Sequence, residues 1–369
     1  ALPYFLQDFP DVTVYGTKLT LAFVKAILDE WEDIDPPEMV EVLPAEIVQH
    51  GPFTVEVIQV NHSIPDGCAY AFRTPHGIVV HTGDFKLDQT PVDGLTTDLA
   101  HFARLGDEGV DLLLADSTNA DVPGHVPTER VVGQSLREEM AKATGLVVVA
   151  SFASHVHRIQ QVLDAAEAVG RRPVFVGRSM VKNMDIARRL AYLDFDHERE
   201  VKIEDVPHHD PRELVIISTG SQGEPYSALS LMASGDHKHV QVGEGDTIIL
   251  ASSLIPGNEH AVFRSINGLA RRGATVVHKG TARVHVSGHA NGGDLTLFHN
   301  IVEPEYVVPV HGEYRHLTAH RDIAIATGCP PDQVFVCEDG DVVELEDHVV
   351  RRAESVQAGQ VFVDGLLPD

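Results

Sequence analysis

Cysteine is scarce: Cys68, Cys329 and Cys337 are the only three in 369 residues, and none of them forms a CxxC pair. So few thiols, in odd number, argue against a disulfide framework and a cysteine-based zinc knuckle, and point to a reducing, cytoplasmic compartment. Apolar runs are short. None approaches the roughly 18 to 20 residues that cross a bilayer, so no membrane partner is expected. Residues 1–10 carry no basic n-region of the kind that opens a secretory or transit sequence. Internal repeats and low-complexity tracts are also missing. Basic residues are in deficit, 28 against 55 acids, for a formal charge of −27. That balance disfavours a protein that binds nucleic acid over its whole surface.

Two strips run against the balance. Residues 171–189 hold Arg171, Arg172, Arg178, Lys182, Arg188 and Arg189 against the single acid Asp185, and residues 264–283 hold five basic residues and no acid. They read either as solvated helix faces or as a groove that grips a phosphate backbone locally. Histidine is abundant, at 22 copies, and imidazole is both the commonest metal ligand and a proton shuttle near neutral pH.

Short runs rich in β-branched residues predict strands at 55–60, 78–81, 110–115, 146–150, 173–176, 214–217, 247–251, 275–278 and 306–310. Helical patterns lie between several of them, at 128–143, 156–169, 179–191, 260–271 and 295–302. Alternation of this kind specifies an α/β fold. It is most regular from about 126 to 280, which reads as a doubly wound block inserted into a split outer domain. Residues 334–347 read as a hairpin about the Glu338-Asp339-Gly340-Asp341 turn. The tail 351–369 has linker composition with one short strand at 361–363.

Three predicted strands run out on chemistry. One ends in Asn61-His62-Ser63, one in His81-Thr82-Gly83-Asp84, and one in Val310-His311-Gly312-Glu313. A single histidine at a strand end is more often a polar cap. Three such ends can aim their ligands into one crevice at a sheet edge. Further on, His285-Val286-Ser287-Gly288-His289 offers a hydroxyl, close backbone approach and two imidazoles, which suits an anion, although it also precedes a helix and could serve as its cap. Asp116-Ser117-Thr118 could equally be a turn. Phe152-Ala153-Ser154 sits between a strand and a helix start, where a phosphate would meet free N–H groups. The pair His208-His209 reads as a turn.

The strings NHSIPDG, HTGDFKLD, ADSTNA, SFASHVHR, STGSQGEP, SSLIPGNE, HVSGHA and VPVHGEYRHL, in that order, resemble the signature segments of the RNase J family, in the β-CASP branch of the metallo-β-lactamase superfamily. The resemblance covers essentially the whole chain. It implies a partial metallo-β-lactamase αββα sandwich over 1–125 and 281–350, an inserted doubly wound β-CASP domain over 126–280, and a linker over 351–369 toward a further domain. It implies two zinc ions per intact site, with manganese as an alternative, held in part by His62, Asp84 as the bridging carboxylate, and His311. His289 would be the proton donor, Asp116 would orient an active-site histidine, and His285, Val286, Ser287, Gly288 and His289 would form the RNA phosphate pocket. Phe152, Ala153 and Ser154 would contact substrate, beside His155 where relatives have Asn.

The family's HxHxDH loop does not occur in the 369 residues. The resemblance therefore reads the chain as truncated at both ends and, with most of its metal ligands missing, inert as it stands. The implied activity is 5′-to-3′ exonuclease and endonuclease cleavage of single-stranded RNA in the cytoplasm, for rRNA processing and mRNA decay, by a homodimer or homotetramer when full length. Two other readings stay open: another metallo-β-lactamase-type hydrolase, and a non-catalytic RNA-binding or scaffold paralogue.

Overall fold

The computed structural model describes residues 2–31, 33–255 and 257–359, and every element named is drawn from these residues. The chain opens with α1 (Leu2–Asp8), β1 (Thr13–Gly16), α2 (Lys18–Leu28) and β2 (Glu38–Glu41). Strands β1 and β2 pair in parallel, as the intervening helix requires, and form a small sheet of their own.

The outer domain is then laid down strand by strand: β3 (Ile47–His50), β4 (Phe53–Gln59), β5 (Cys68–Thr74) and β6 (Gly77–His81) form an antiparallel meander. Helix α3 (Leu99–Glu108) supplies the crossover that lets β7 (Leu112–Asp116) join β6 in parallel. The side chains pointing to one face (Ile58, Ala71, Val80, Leu113 and Ala115) bury against Phe85, Phe102 and Phe298. The ring of Phe298 stands 4.8 Å from each of the other two.

The chain then leaves this sheet and builds a second one. Its elements are α4 (Arg130–Lys142), β8 (Val147–Ala150), α5 (Val156–Ala168), β9 (Arg172–Val176), α6 (Arg178–Arg189), β10 (Leu214–Ser218), α7 (Ala228–Ser234), β11 (Thr247–Leu250), α8 (Glu259–Arg271) and β12 (Thr275–Val277). All pairings are parallel, in the order β12-β11-β8-β10-β9. Every residue of β8, β10 and β11 is buried, which is why their sequences are continuous apolar runs rather than alternations. Helices α4, α5 and α6 pack on one face, and α7 and α8 on the other. His208 closes a 3₁₀ helix (Ile203–His208), so the His208-His209 pair is a helical turn end within this unit.

The return path is α9 (Gly292–Val302), β13 (Tyr306–Val310) and α10 (Tyr314–Ala326). Strand β13 pairs with β7 from Tyr306↔Leu112 to Val310↔Asp116, completing the order β13-β7-β6-β5-β4-β3. Sheet one is therefore opened before residue 116 and closed after residue 306.

The C-terminal hairpin departs from the expected position. It is β14 (Val343–Glu346) with β15 (Val349–Arg352), not 334–347. Its turn is Asp347-His348, both at positive φ (49° and 65°), the twist that a two-residue hairpin loop needs. Glu338–Asp341 does make a turn, but the segment before it attaches to the main sheet, with Phe335 N–H donating to Val307 O at 2.9 Å. The strand expected at 361–363 lies outside the described residues.

Candidate metal and catalytic centre

Strands β6, β7 and β13 are parallel neighbours, and β4 runs the same way two strands along, so all four deliver their C-terminal ends to one sheet edge. His62 follows β4, Asp84 follows β6, Asp116 ends β7 and His311 follows β13. Asp84 reaches out from a turn at Gly83, whose φ is +59°; a Cβ there would meet the Cys68 carbonyl oxygen at 2.8 Å. Its two oxygens face different partners. Oδ2 is 3.8 Å from His62 Nε2, and Oδ1 is 3.5 Å from His311 Nε2. His311 itself is held at φ 56°, an unusual conformation for a residue with a Cβ and one that clusters at functional sites.

The tautomer of His62 follows from its other nitrogen. Nδ1 lies 2.9 Å from the Gly288 carbonyl, which can only accept, so Nδ1 carries the proton and Nε2 turns a lone pair toward Asp84. Burial, then the nearby His289, pushes the His62 pKa down to about 4, which keeps the ring neutral. A neutral imidazole oriented by a backbone carbonyl is the form a metal needs. Ligand atoms of His62, Asp84 and His289 lie within 4.8 Å of one another, and so do those of Asp116, His289 and His311. A divalent cation therefore fits this donor set, which combines hard carboxylate oxygen with imidazole nitrogen.

His289 connects the two groups. Its Nδ1 donates to Asp116 Oδ2 at 2.6 Å, a short charge-assisted bond, and its ring packs between those of His62 and His311 at centroid distances of 4.9 and 5.4 Å. Burial opposes charge on His289, yet the bond and the charge of Asp116 outweigh it and the pKa lies above the ordinary value. Asp116 is 1% exposed; burial pushes its pKa up, but the bond to His289 and those from Thr118 win and hold it below the usual range. Thr118 donates twice to Asp116 Oδ1, from N at 3.0 Å and Oγ1 at 2.8 Å.

Five of the predicted site residues thus come together: His62, Asp84, Asp116, His289 and His311. Ser287 and Gly288 stand directly beside them. Gly288 touches His62 so closely that an added Cβ would lie 2.8 Å from both Cε1 and Nδ1 of the ring. His285 does not join the cluster. It turns toward Arg158, with Nδ1 3.4 Å from Nη1, and burial, then that cation, pushes its pKa down to about 2. Val286 packs in the core of the second sheet. Phe152 and Ala153 line a separate crevice of about 270 Å³ at the ends of β8 and β10, with Ser179, Thr219 and Ser221 opposite. Ser154 precedes α5, whose first turn is partly satisfied already: His155 Nδ1 accepts from Arg158 N, doing the capping work of an Asn.

The basic strip at 171–189 is largely spoken for. Arg171 is buried and donates to the carbonyls of Ala143, Gly145 and Leu214. Lys182 pairs with Glu30, and Arg188 and Arg189 pair with Asp185. Arg178, Arg188 and Arg189 stay exposed on α6, so this part of the strip is a solvated helix face. A cleft of about 960 Å³ lies along α4 and α5 and contains none of the five clustered residues.

Sequence reasoning missed Thr118 and Asn119. Asn119 Nδ2 donates to Ser287 Oγ at 2.7 Å and to His289 O at 3.3 Å, tying the two loops together. Both lie in the ADSTNA string, so the signal was present but was read for its acid alone.

Comparison with known proteins agrees with this architecture. Residues 144–269 match the family model described as "Ribonuclease J, beta-CASP domain", and residues 274–336 match "Zn-dependent metallo-hydrolase RNA specificity domain". The chain therefore has an α/β fold that combines a β-CASP domain with a metallo-hydrolase-type domain, whose description names a metal cofactor. Ribonuclease J of Mycolicibacterium smegmatis is 48% identical over 367 residues, covering 100% of this chain, and that of Mycobacterium tuberculosis is 47% identical with the same coverage. Ribonuclease J2 of Bacillus subtilis is 39% identical over 98% of the chain. The chain belongs to the ribonuclease J family. It spans 65% of the length of each of these three relatives. A crystal structure of a protein of unknown function from Enterococcus faecalis shares the fold at TM-score 0.61 and 15% identity, over 93% of this chain and 76% of that one.

Proposed function

We propose that this chain carries the catalytic core of a zinc-dependent ribonuclease that cleaves single-stranded RNA, acting from the 5′ end and internally, in RNA maturation and decay. The observation that carries the reading is Asp84, with one oxygen toward His62 and the other toward His311, next to the hydrogen-bonded His289–Asp116 pair. We read 1–125 and 281–350 as the metallo-β-lactamase scaffold, 126–280 as the β-CASP domain and 351–369 as a linker. His62, Asp84 and His311 would hold two zinc ions in part, with manganese as the alternative. Bound metal supplies charge for the scissile phosphate and makes water a nucleophile near neutral pH.

The remaining work falls to the protein. Asp116 holds His289 in one tautomer and favours its charged form, so that Nε2 can give a proton to the leaving 3′-oxygen. Ser287, fixed by Asn119 and followed by Gly288, can approach a phosphate oxygen closely. His285 contributes as a neutral imidazole, and Phe152, Ala153 and Ser154 contact the strand further along. A cytoplasmic address and a homodimeric or homotetrameric state complete the reading; among the described residues no helix is long and apolar enough to cross a membrane.

Paired variants of the full-length protein test it. His62→Ala should strip zinc and cleavage together, whereas Ser287→Ala should keep zinc and weaken RNA capture. Equal zinc loss in both variants would show that the metal and phosphate assignments are confused.

A further inference from the structure

Behind the ADSTNA loop lies a second histidine system that takes no part in the metal and catalytic centre. His320 on α10 and His299 on α9 are 0% and 2% exposed. Their Nε2 atoms are 2.8 Å apart, with rings at 88°. His320 Nδ1 is 2.8 Å from the hydroxyl of Ser117, which is also fully buried and directly follows Asp116. His299 Nδ1, at the far end, has no hydrogen-bond partner.

The direction of this chain can be worked out. Ser117 Oγ lies 3.2 Å from the Ala115 carbonyl, which can only accept, so the hydroxyl proton goes there and the oxygen accepts from His320 Nδ1–H. His320 Nε2 is then an acceptor, and His299 Nε2–H must donate to it. The bare atom left over is a lone pair on His299 Nδ1. Running the chain the other way would forfeit the Ser117–Ala115 bond and leave a buried N–H orphaned, the costlier defect.

Ser117 is the pivot of the catalytic loop. Its N–H donates to Val310 O at 2.9 Å, beside His311. On its two sides are Asp116, bonded to His289, and Thr118, which grips the Asp116 carboxylate and whose Oγ1 also lies 3.0 Å from His311 O. We propose that His299, His320 and Ser117 form a one-way donor chain that positions the Asp116–His289 pair from the scaffold helices, with His320 as a positioning residue for proton transfer. The kinetic consequence rests on the ribonuclease reading; the donor chain does not.

The test uses full-length, zinc-loaded protein and a single-stranded RNA oligonucleotide. Imidazole ¹⁵N spectra should show the Nδ1–H tautomer at His320 and the Nε2–H tautomer at His299, and Ser117→Ala should abolish that preference, so that His320 shows both tautomers. His320→Leu should lower kcat about ten- to a hundredfold, the range for losing an outer support of a site, with KM and zinc content unchanged. His320→Asn, whose amide can still donate to Ser117, should recover most of it. The opposite tautomers in the unmodified protein, a kcat for His320→Leu within about twofold, or no rescue by His320→Asn would each overturn the proposal. Should His320→Leu not fold, Ser117→Ala decides by the same kcat and tautomer criteria. Unmodified protein that binds zinc but cuts no RNA would defeat the ribonuclease reading instead, and the tautomers would still uphold or overturn the donor chain.

Discussion

Replacing Asp116 with Asn changes no shape and one charge, and the surrounding donors dictate how the new amide must turn. Oδ1 meets the closer donors, Thr118 N–H at 3.0 Å and Oγ1 at 2.8 Å, whereas apart from His289 Oδ2 meets only Phe85 N–H at 3.4 Å, so the Asn carbonyl oxygen takes the place of Oδ1 and its NH₂ that of Oδ2. The NH₂ then faces His289 Nδ1 across the former 2.6 Å bond and donates to it. His289 is driven to the neutral Nε2–H tautomer, and its charged form, which needs a proton on both nitrogens, loses its acceptor. Asp116 is 1% exposed, so water does not make good the loss. A charge-assisted bond of this kind contributes about 1.5–3 kcal/mol. At about 1.4 kcal/mol per factor of ten, kcat should fall about ten- to a hundredfold.

The pH profile carries the sharper signature. Asp116 holds the His289 pKa above its ordinary value, so the protonated donor persists to higher pH than a free imidazole would allow. In Asp116→Asn that pKa drops, and the alkaline limb of kcat should move to lower pH. The assay is kcat against pH on an RNA oligonucleotide with full-length, zinc-loaded protein, together with metal analysis of each sample. A fall in kcat with an unmoved alkaline limb, or a fall matched by loss of zinc, would refute the assignment of His289 as proton donor.

Two further outcomes are expected. Gly288→Ala should weaken zinc binding about ten- to a hundredfold while the protein stays folded, because the new Cβ would lie 2.8 Å from the His62 ring and displace it; unchanged zinc affinity would show that the Gly288–His62 contact does not orient a ligand. In metal-free protein, stability should fall on acidification from about pH 6.5 toward pH 4, because burial lowers the pKa of His62 and of His299 to about 4. The unfolded chain then binds protons that the native state refuses, so stability is full above the unfolded pKa and is lost as pH falls. His299 alone should cost on the order of 2 kcal/mol at pH 5. Urea midpoints at pH 7.5 and 5 read this directly, and a flat or rising midpoint on acidification would contradict it.

The parts of this site that could be read from sequence are those whose physics is local. Val147–Ala150 and Thr247–Leu250 are buried on both faces, and a run of β-branched residues says so without knowledge of the neighbours. His62, Asp84 and His311 declare themselves by ending strands beside small residues. Partnerships across long separations were not legible. Nothing in Ser117, His299 or His320 alone indicates that α9 and α10 bring their side chains into one file. His285 looked equivalent to His289, four residues away, yet one faces Arg158 and the other Asp116. The C-terminal hairpin was misplaced because Gly340 is the more conspicuous turn former, whereas Asp347 and His348 reach positive φ only when β14 and β15 pair around them.

How the two sheets are held to each other bears on the same centre. Lys86 and Asp88, just past Asp84, meet Glu129 at the entry to the inserted unit and Arg158 on α5; all four residues are at most 4% exposed. Lys86 Nζ is 3.6 Å from Asp88 and 3.8 Å from Glu129, and Glu129 Oε1 is 2.6 Å from Arg158. Arg158 also donates to Ala251 O and to Val284 O, the residue before His285. Two cations and two anions cancel, so the cluster is neutral as a set, but removing any one member strands a buried charge at a cost of about 3–5 kcal/mol. An apolar junction would hold the units as firmly while allowing them to slide, because burial is non-directional. Directional bonds that run from Glu129 through Arg158 to Val284, with Lys86 held to Glu129 by charge, instead set where the chain re-enters the outer domain. That re-entry point carries Ser287, Gly288 and His289 to the His62 ring, so the angle between the sheets and the geometry of the candidate centre are fixed by the same contacts.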